Sequence, residues 1–528
     1  MENLDYIQGM GFDAIWISPI VAQLPQFTKD GQSYAGYWQQ DLYSINTKFG
    51  PADDLHKLID AVHSRGMLFM LDIVVNHMAY NSWTGGPPAN ISYDVFNPFN
   101  DQSYFHPYCE MDFSGKNLTS LEECWLGSDH VPLADLDTES DSVKSMLGDW
   151  IKQMVGNWSV DGLRIDAGVN VQPDFFPNFM KSAGIFATAE VYHSNASVVA
   201  MYEDVVGSTL NYPLYWPLTS AFQSDGKMSD LADAMDTNAQ AFKDVTVLGT
   251  FSENQDVPRF GNSTDDMALA TNVAAFVLMS DGIPIIYQGQ EQHYRGGTNP
   301  YTNREPLWES GLNPFASIYQ TISTLNALRH QVMQKDKSYT TMASTVVQKD
   351  DHILVTAKGS KGAQVISIFT NGGDNGGAFT LDVPLSDFGY AANTQLMEVL
   401  TCKTYNLDGQ SSLSIPISAG APAILYPASS LSGSSLCGQS GDRFLGSVIQ
   451  TVTATTYTAT ISSTPTVVQS TVSYPIIQAE ITSTAGAGAA TSTSMAVQSR
   501  PASSTLLGLT LTVAAAITGG LFGCLLIV

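Results

Sequence analysis

The sequence predicts an α/β protein, a (β/α)8 (TIM) barrel with an inserted loop domain after strand 3 and a C-terminal antiparallel β-domain. Three observations support this fold class. From residue 12 to about residue 328, near-continuous apolar runs alternate with helical stretches, as expected of parallel strands buried on both faces. Residues 77–135, rich in Asn, Pro and Ser, interrupt the alternation. Beyond residue 338, short alternating strands are separated by Gly, Asn and Asp turns.

The predicted barrel strands are the apolar runs at residues 12–17, 67–75, 162–166, 184–190, 245–251 and 283–287. About 300 residues of strand and helix fit a (β/α)8 barrel of about 250 residues plus insertions. A doubly wound sheet is the alternative, but no Gly-rich phosphate loop follows an early strand.

Composition divides the chain into five parts. These are the barrel (1–76 and 136–337), the inserted domain (77–135), the β-domain (338–437), a Ser/Thr-rich stalk (438–504) and an apolar tail (505–528). Between residues 451 and 505 the charged residues are Glu480 and Arg500. Such a segment buries too little apolar surface to offset its chain entropy, so we expect an extended stalk.

The apolar tail has two interpretations. It runs without charge from Leu506 to Val528, which is long enough for a membrane-spanning helix of about 20 residues. A retained helix would normally be followed by Lys or Arg, and none follows. Small residues, a polar spacer and an apolar end instead match a glycosylphosphatidylinositol (GPI) anchor signal. We therefore expect a secreted protein held by a GPI lipid on the plasma membrane or in the cell wall, with its signal peptide missing from this sequence.

Charge and cysteine usage agree with an extracellular location. The net charge of −27 argues against a nucleic-acid partner, because phosphates would be repelled. Cys524 lies in the tail, which leaves two local pairs, Cys109 with Cys124 and Cys402 with Cys437. Disulfides are the natural state of such pairs in an oxidising compartment, and four free thiols are the less favoured alternative. Sequons at Asn90, Asn117, Asn157, Asn195 and Asn262 also suit secretion.

Candidate catalytic groups are the carboxylates at the ends of predicted strands, namely Asp72, Asp166, Glu190, and Glu253 or Asp256 after the strand that ends at Phe251. Strand C-termini form the active face of a barrel, so side chains from three strands converge there. Glycoside chemistry needs such a pair, one ionised and one protonated. Arg164 shares a strand face with Asp166, and we expect it to lower the pKa of that carboxyl. Glu190 has no cation beside it in sequence and is the better proton donor.

Four segments carry a family resemblance. Residues 72–77 (DIVVNH), 161–166 (DGLRID), 189–191 (AEV) and 251–256 (FSENQD) resemble the four signature regions of glycoside hydrolase family 13. The segments at 36–41 and 281–294 make the chain especially similar to fungal α-amylases of the Taka-amylase type. The resemblance extends over roughly residues 1 to 437.

This resemblance implies a retaining enzyme that acts on α-1,4-glucans, with Asp166 as nucleophile, Glu190 as general acid/base and Asp256 as transition-state stabiliser. The implied substrate contacts are Tyr37, Trp38, His77, Arg164, Gln255 and Arg304. The resemblance also implies Ca²⁺, an ion that takes oxygen ligands. The matching ligands are Asn76, Glu122, Asp135 and the backbone carbonyl of Asn170.

Some features depart from the family pattern. The family's first barrel strand is expected before Met1 and is missing from this sequence. Val169-Asn170 stands where Lys-His is usual, and Gln255 replaces a His. Losing hydrogen bonds to the sugar should slow hydrolysis. Lipid-anchored fungal relatives with such changes are implicated as 4-α-glucanotransferases of wall α-glucan, so we expect transfer to be favoured. The alternatives are a plain endo-acting α-amylase and, less favoured, an inactive glucan-binding wall protein. Oligomeric state is not predicted.

Overall fold

The computed structural model describes residues 2–441, except 84, 86–90, 387, 408 and 410, and also residues 457–461, 464–468 and 525–527. No helix within these ranges is long and apolar enough to cross a membrane. The predicted stalk and tail lie outside the described residues except for residues 438–441 and three short strands. The chain forms two units, one of residues 1–448 with 519–528 and one of residues 449–518.

The α-helices that the structure describes are α1 (Leu4–Gln8), α2 (Ala52–His63), α3 (Leu118–Glu123), α4 (Asp141–Trp158), α5 (Phe176–Ala183), α6 (Ala196–Val206), α7 (Tyr212–Ala221), α8 (Met228–Ala241), α9 (Met267–Met279) and α10 (Ser317–Lys335). Helix α2 shows the amphipathic pattern of a helix that packs against an apolar core. It buries Leu55, Leu58, Ile59 and Val62, which are spaced so that they share one helical face.

The strands up to residue 287 are β1 (Ala14–Ile17), β2 (Val21–Gln23), β3 (Gln39–Ile45), β4 (Leu68–Val74), β5 (His77–Ala79), β6 (Leu126–Gly127), β7 (Pro132–Asp135), β8 (Gly162–Asp166), β9 (Phe186–Ala189), β10 (Gly249–Thr250), β11 (Ile283–Pro284) and β12 (Ile286–Tyr287). Strands β1, β4, β8 and β9 are parallel neighbours in that order. Parallel bridges continue from Ala189 to Thr209 and from Leu210 to Gly249, and β10 pairs with β11. The predicted fold class is confirmed.

One barrel strand is shorter than predicted. Residues 245–251 were expected to be extended throughout, but Val245–Val247 form a 3-10 turn and only β10 is a strand. The Asp244 carboxylate accepts the backbone N–H of Thr246 at 2.8 Å, and this side-chain cap favours a turn over an extended segment.

The barrel position between β1 and β12 holds a short strand from the far end of the chain. Strand β23 (Leu525–Ile527) pairs antiparallel with both β1 and β12. This is the position where the sequence predicts the first barrel strand to be missing. All other strand pairs of the ring are parallel among the described residues.

The inserted domain leaves the barrel after β4. Strands β5, β6 and β7 form a small antiparallel sheet in the order β5-β7-β6. Helix α3 follows Asn117, whose side chain accepts the backbone N–H of Ser120 as an N-cap. The predicted disulfide between Cys109 and Cys124 is confirmed, and it joins the segments on either side of α3.

The C-terminal domain is antiparallel, as predicted. Its strands are β13 (Thr345–Lys349), β14 (Ile353–Lys358), β15 (Val365–Thr370), β16 (Phe379–Pro384), β17 (Gln395–Glu398), β18 (Lys403–Asn406), β19 (Ser412–Ile417) and β20 (Ala423–Pro427). Six strands form one sheet in the order β13-β14-β15-β20-β17-β18, and β16 pairs with β19. Both layers contribute to one apolar cluster, for example Val355 and Ile415. The predicted disulfide between Cys402 and Cys437 is confirmed.

The barrel and the β-domain are joined through α9. The buried Asn272 side chain donates to the Gly420 carbonyl at 2.7 Å and accepts the Thr370 N–H at 3.0 Å. In the second unit, β21 (Tyr457–Ile461) and β22 (Thr464–Val468) form an antiparallel hairpin.

Candidate active site

The candidate site lies where the parallel barrel strands end. Asp72 lies near the end of β4, and Asp166 ends β8. Glu190 directly follows β9, and Asp256 lies in the loop after β10. Because the carboxyl ends of parallel strands meet on one face of the barrel, residues nearly 200 positions apart become neighbours.

A single guanidinium joins three of these carboxylates. Arg164 in β8 is 1% exposed. Its Nη1 donates to Asp72 Oδ1 at 2.9 Å and to Asp166 Oδ1 at 2.7 Å, and its Nη2 lies 2.7 Å from Glu190 Oε2. Arg164 was predicted to contact sugar hydroxyls, and that contact stays a prediction; its contacts in the structure are with the carboxylates. A fully buried cation with three such partners holds them at defined positions.

The electrostatics of Asp166 differ from the sequence-based expectation. Burial raises the pKa of Asp166 well above its ordinary value; Arg164 opposes this rise, and the charges of Glu190, Asp72 and Asp256 reinforce it. Arg164 does lower the pKa of this carboxyl, as expected, but the net shift is upward. Burial together with three neighbouring carboxylates outweighs one guanidinium.

Two further carboxyls of the cluster are shifted in the same direction. Burial raises the pKa of Asp72 to about 6, although Arg164 and the Tyr37 hydroxyl oppose the rise. Burial and the charge of Glu190 raise the pKa of Asp256 to about 6 against the opposing effect of Arg304. Asp72, Asp166 and Asp256 therefore hold protons more tightly than isolated carboxyls do, as often happens at functional sites.

The backbone turns sharply after Asp166. Ala167 has a positive φ of 51°, a conformation that non-glycine residues seldom adopt. Its N–H donates to Glu190 Oε2 at 3.2 Å. The turn therefore places a backbone donor beside the carboxylate of the neighbouring strand, and strained backbone of this kind is often found at functional sites.

Tyr37 and His77 form one wall of the site. The Tyr37 hydroxyl donates to Asp72 Oδ2 at 2.8 Å, and the His77 Nε2 donates to the Tyr37 carbonyl at 3.0 Å. Burial lowers the pKa of His77 to about 4. His77 is therefore neutral near pH 7, with its proton on Nε2 because the carbonyl is an acceptor.

The other predicted substrate contacts differ in their surroundings. Arg304 Nη2 donates to Asp256 Oδ1 at 3.1 Å, which places it at the catalytic carboxylates. Gln255 Nε2 donates to the Tyr37 hydroxyl at 2.8 Å, and its Oε1 is buried with no hydrogen-bond partner among the described residues. Trp38 packs against a small apolar cluster that includes Leu24.

The residues predicted to bind calcium lie in two groups. In one group, the side chain of Asn76 donates to Asp135, and burial raises the pKa of Asp135 to about 7. In the other group, the Asn170 side chain donates to the Leu121 carbonyl at 2.9 Å, next to Glu122 in α3. Burial and two neighbouring glutamates raise the pKa of Glu122.

The donor set fits a hard divalent cation. Asp135 Oδ1 is buried and has no hydrogen-bond partner among the described residues. Every predicted ligand atom is an oxygen, and an unpaired buried carboxylate oxygen needs a cation or a proton. The other oxygen, Asp135 Oδ2, accepts a hydrogen bond from His106 Nδ1 at 2.7 Å.

His106 is held as a cation beside this carboxylate. Its Nε2 lies 3.0 Å from Glu139 Oε2 and 3.6 Å from Asp137 Oδ1. Burial lowers the pKa of His106, but Asp135 and Glu139 outweigh it and raise the pKa to about 10. The ring is therefore protonated at neutral pH, and it supports the carboxylate rather than competing with it as a base.

Sequence reasoning assigned no role to three residues of the site. Asp72 stands in a signature segment but was given no role, although it contacts Arg164, Tyr37 and Trp16. Tyr212 and Asn254 both lie within hydrogen-bond distance of catalytic groups or their partners. Of these two residues, Asn254 stands in a signature segment and Tyr212 does not, so no sequence signal pointed to Tyr212.

Comparison with known families gives two matches. The family model described as "Alpha amylase, catalytic domain" matches residues 1–369, and the model described as "Alpha-amylase, domain C" matches residues 346–444. Both matches coincide with the barrel and the antiparallel domain described above.

Named relatives and a solved structure agree with these matches. Alpha-amylase 2 of Schwanniomyces occidentalis is 42% identical over 438 residues, covering 83% of this chain and 84% of the relative. An α-amylase of Saccharomycopsis fibuligera is 42% identical and covers 81% of this chain and 84% of that protein. The structure of an α-amylase from Malbranchea cinnamomea matches with a TM-score of 0.78 at 42% identity, covering 83% of this chain and 90% of that chain.

The lowered pKa of His77 predicts a pH effect on stability. The unfolded chain protonates this residue near pH 6.5, whereas the folded protein does so only near pH 4. The neutral ring therefore favours the folded state above pH 6.5, and this contribution is lost as the pH falls from 6.5 to about 4. We expect the loss to be roughly 3 kcal/mol.

The measurement compares the free energies of unfolding of the wild type and of His77→Asn, which cannot be protonated, between pH 7 and pH 4. The advantage of the wild type should shrink as the pH falls. A difference between the two proteins that stays constant over this range would show that His77 is not held neutral.

Proposed function

Because this chain belongs to the α-amylase family of glycoside hydrolases, we propose that its cleft opens α-1,4-glucosidic bonds by a retaining mechanism. The observation that carries the proposal is the Arg164 guanidinium, which contacts both Asp166 and Glu190 at 2.7 Å. The two carboxylates are thereby held at one buried place on the active face of the barrel. Such a carboxylate pair is what glycoside hydrolysis with retention requires.

The first step breaks the glycosidic bond. The Asp166 carboxylate attacks the anomeric carbon, and Glu190 gives its proton to the departing glycosidic oxygen, so that a covalent glycosyl-enzyme forms. Asp256, paired with Arg304 at 3.1 Å, lies where positive charge develops on the sugar ring. Tyr37 provides an aromatic face beside Asp72 for the sugar at the cleavage point.

The second step releases the glycosyl group. An oxygen of water or of a second sugar attacks the anomeric carbon, its proton passes to Glu190, and Asp166 leaves as a carboxylate. Water as the attacking group gives hydrolysis, whereas a sugar hydroxyl gives transfer. The balance between the two outcomes depends on how well an acceptor sugar is held beside Glu190.

The chain's own substitutions favour transfer, and we assign it a 4-α-glucanotransferase activity alongside hydrolysis. The side-chain nitrogen of Gln255 donates a hydrogen bond to the Tyr37 hydroxyl, and that of Asn170 donates one to the Leu121 carbonyl. Val169 is 5% exposed and offers no polar group. Because fewer donors reach the sugar, hydrolysis is slowed and the glycosyl-enzyme has more time to meet an acceptor.

An exposed aromatic ring next to the general acid supports the same assignment. Tyr192, two residues after Glu190, is 47% exposed. Its ring lies 4.7 Å from that of Tyr212 and 5.7 Å from that of Trp216, which fix its position. Partial burial raises the pKa of Tyr192, and the charges of Asp256 and Glu190 raise it further, as expected for a phenol near the carboxylates. A sugar acceptor can stack on this ring.

Calcium is the cation that best suits the Asp135 site. Asn76, Glu122, Asp135 and the carbonyl of Asn170 would hold it, and it would link the inserted domain to the barrel. When bound, the ion supplies charge compensation for Asp135 and Glu122. Its role is structural, because the proton transfers above use the protein's own carboxyls.

The expected location is the cell exterior, with a GPI lipid anchoring the chain to the outer face of the plasma membrane or to the wall. The confirmed disulfides support an oxidising compartment. A wall location would present the cleft to α-glucan chains outside the cell.

Incubation of the purified protein with maltopentaose tests the reaction. We expect products both shorter and longer than the substrate, because transfer accompanies hydrolysis. Asp166→Asn should lower the rate by about 10⁴-fold or more, since the nucleophile is lost. Asp174→Asn, an exposed site, is the control and should match the wild type. Exclusively shorter products would identify a plain α-amylase, and an unchanged substrate would identify a binding protein.

Tyr192 tests the origin of transfer. Tyr192→Ala should lower the ratio of transfer to hydrolysis by about 2–10-fold, the equivalent of one aromatic contact, while maltopentaose is still cleaved. Tyr192→Phe keeps the ring and should keep the ratio. Product lengths are followed by chromatography at several concentrations of added maltose. An unchanged ratio in Tyr192→Ala would exclude this ring as the acceptor platform.

Calcium binding is tested with a pair of variants on α3. Chelation should lower the melting temperature of the wild type, because removing a bound ligand removes its stabilisation of the folded state. In Glu122→Gln the chelator should have a much smaller effect, since a ligand is already lost. Glu123→Gln, the exposed neighbour, should respond as the wild type does. Equal responses of the two variants would place the ion elsewhere.

A further inference from the structure

A chain of hydrogen bonds lies behind the candidate acid. The Tyr212 hydroxyl donates to Glu190 Oε1 at 3.0 Å. The Asn254 Nδ2 donates in turn to the Tyr212 hydroxyl oxygen at 2.8 Å. Tyr212 is 0% exposed and Asn254 is 4% exposed, so water does not compete for these bonds.

The other end of the Asn254 amide holds the loop that carries Asp256. Asn254 Oδ1 accepts the N–H of Asp256 at 2.8 Å and the N–H of Val257 at 3.1 Å. This side-chain turn sets the direction in which Asp256 leaves the loop. One buried amide therefore contacts the Asp256 backbone directly and reaches Glu190 through Tyr212.

The two oxygens of Glu190 have different partners. Oε2 accepts from Arg164 and from the Ala167 N–H, at 2.7 and 3.2 Å. Oε1 accepts from Tyr212. A carboxyl group held on both oxygens cannot rotate about its last side-chain bond without breaking a hydrogen bond. Its orientation is therefore fixed, and proton delivery to a glycosidic oxygen depends on that orientation.

We propose that Tyr212 and Asn254 are positioning residues that orient the Glu190 carboxyl for proton transfer and hold it at a fixed position relative to Asp256. The inference rests on the proposed role of Glu190 as general acid/base. Tyr212 acts through its hydrogen bond to Glu190, and Asn254 acts through Tyr212 and the backbone of Asp256. Their effect passes through the orientation of Glu190 and the loop of Asp256.

Simple packing is the competing explanation, because Tyr212 belongs to an aromatic cluster. Its ring lies 5.0 Å from that of Phe251. Tyr215, on the same helix, stacks on Phe251 at 5.4 Å and is equally buried in that cluster. Tyr215→Phe therefore removes a hydroxyl from the same environment without removing a donor to Glu190, and serves as the matched control.

The experiment compares kcat/KM for maltopentaose with kcat/KM for α-maltotriosyl fluoride. Fluoride leaves without a proton, so its first step needs Asp166 but no general acid. Tyr212→Phe should lower kcat/KM for maltopentaose by about 10–10²-fold, part of the full effect of acid catalysis, and change the fluoride value less than about 3-fold. Tyr215→Phe should leave both values within about 3-fold of the wild type.

Asn254→Ala removes the hydrogen bond to Tyr212 and also the hydrogen bonds from the backbone of Asp256 and Val257. Because Asp256 assists the cleavage of either substrate, kcat/KM should fall by at least about 10-fold for both. A parallel fall of both values in Tyr212→Phe would show that its hydroxyl serves only packing and would overturn the positioning role. A variant, either Tyr212→Phe or Asn254→Ala, that kept wild-type kcat/KM for both substrates would likewise overturn the positioning role of the substituted residue.

Glu190→Gln separates this inference from the proposed function. It should lose maltopentaose cleavage and retain kcat/KM for the fluoride, which reports a first step that needs no acid. If Glu190→Gln still cleaves maltopentaose at the wild-type rate, the assignment of the acid itself is wrong. If it fails on maltopentaose while Tyr212→Phe does not, the acid is correctly assigned and only the positioning role falls.

Discussion

The buried guanidinium of Arg164 is the constraint on which the candidate site depends. It is 1% exposed, and burying its charge there would be very costly without the carboxylates around it. In turn Asp72, Asp166 and Glu190, on three adjacent strands, could not lie so close without a cation between them. Removing either partner would leave a charge buried and unpaired, which is far costlier than losing a surface ion pair.

This arrangement makes the site both acidic and rigid. The carboxyls outnumber the guanidinium groups, so burial and mutual repulsion raise the pKa of Asp72, Asp166 and Asp256. Rigidity comes from donors that are not themselves charged, including the Ala167 N–H and the Tyr212 hydroxyl. The raised pKa values thus arise first from burial and then from neighbouring charges, whereas neutral hydrogen bonds set the orientation of the carboxyls.

Much of the fold could be predicted from local patterns. Buried parallel strands are recognisable because both faces are apolar, and β4 and β8 lie where such runs were found. The predicted strand at 245–251 was too long, because the cap from Asp244 to Thr246 depends on one side chain and not on apolar periodicity. The parallel bridges of Thr209 and Leu210 were missed for a similar reason, since two bridged residues leave no periodic signal. No pattern could predict that β23 pairs with β1, because pairing between the two ends of a chain has no local signature.

By itself the sequence determined the order of strands and helices, the cysteine pairs and the segments from which the catalytic carboxylates come. These follow from residue type and spacing, which act over a few turns or strands. Only the tertiary structure decided which groups share a proton or a cation. Asp166 shows the difference: its neighbour in sequence, Arg164, lowers its pKa, yet carboxylates distant in sequence and the loss of water raise it further. Electrostatic energy depends on distance in space and on burial, and the chain's linear order specifies neither.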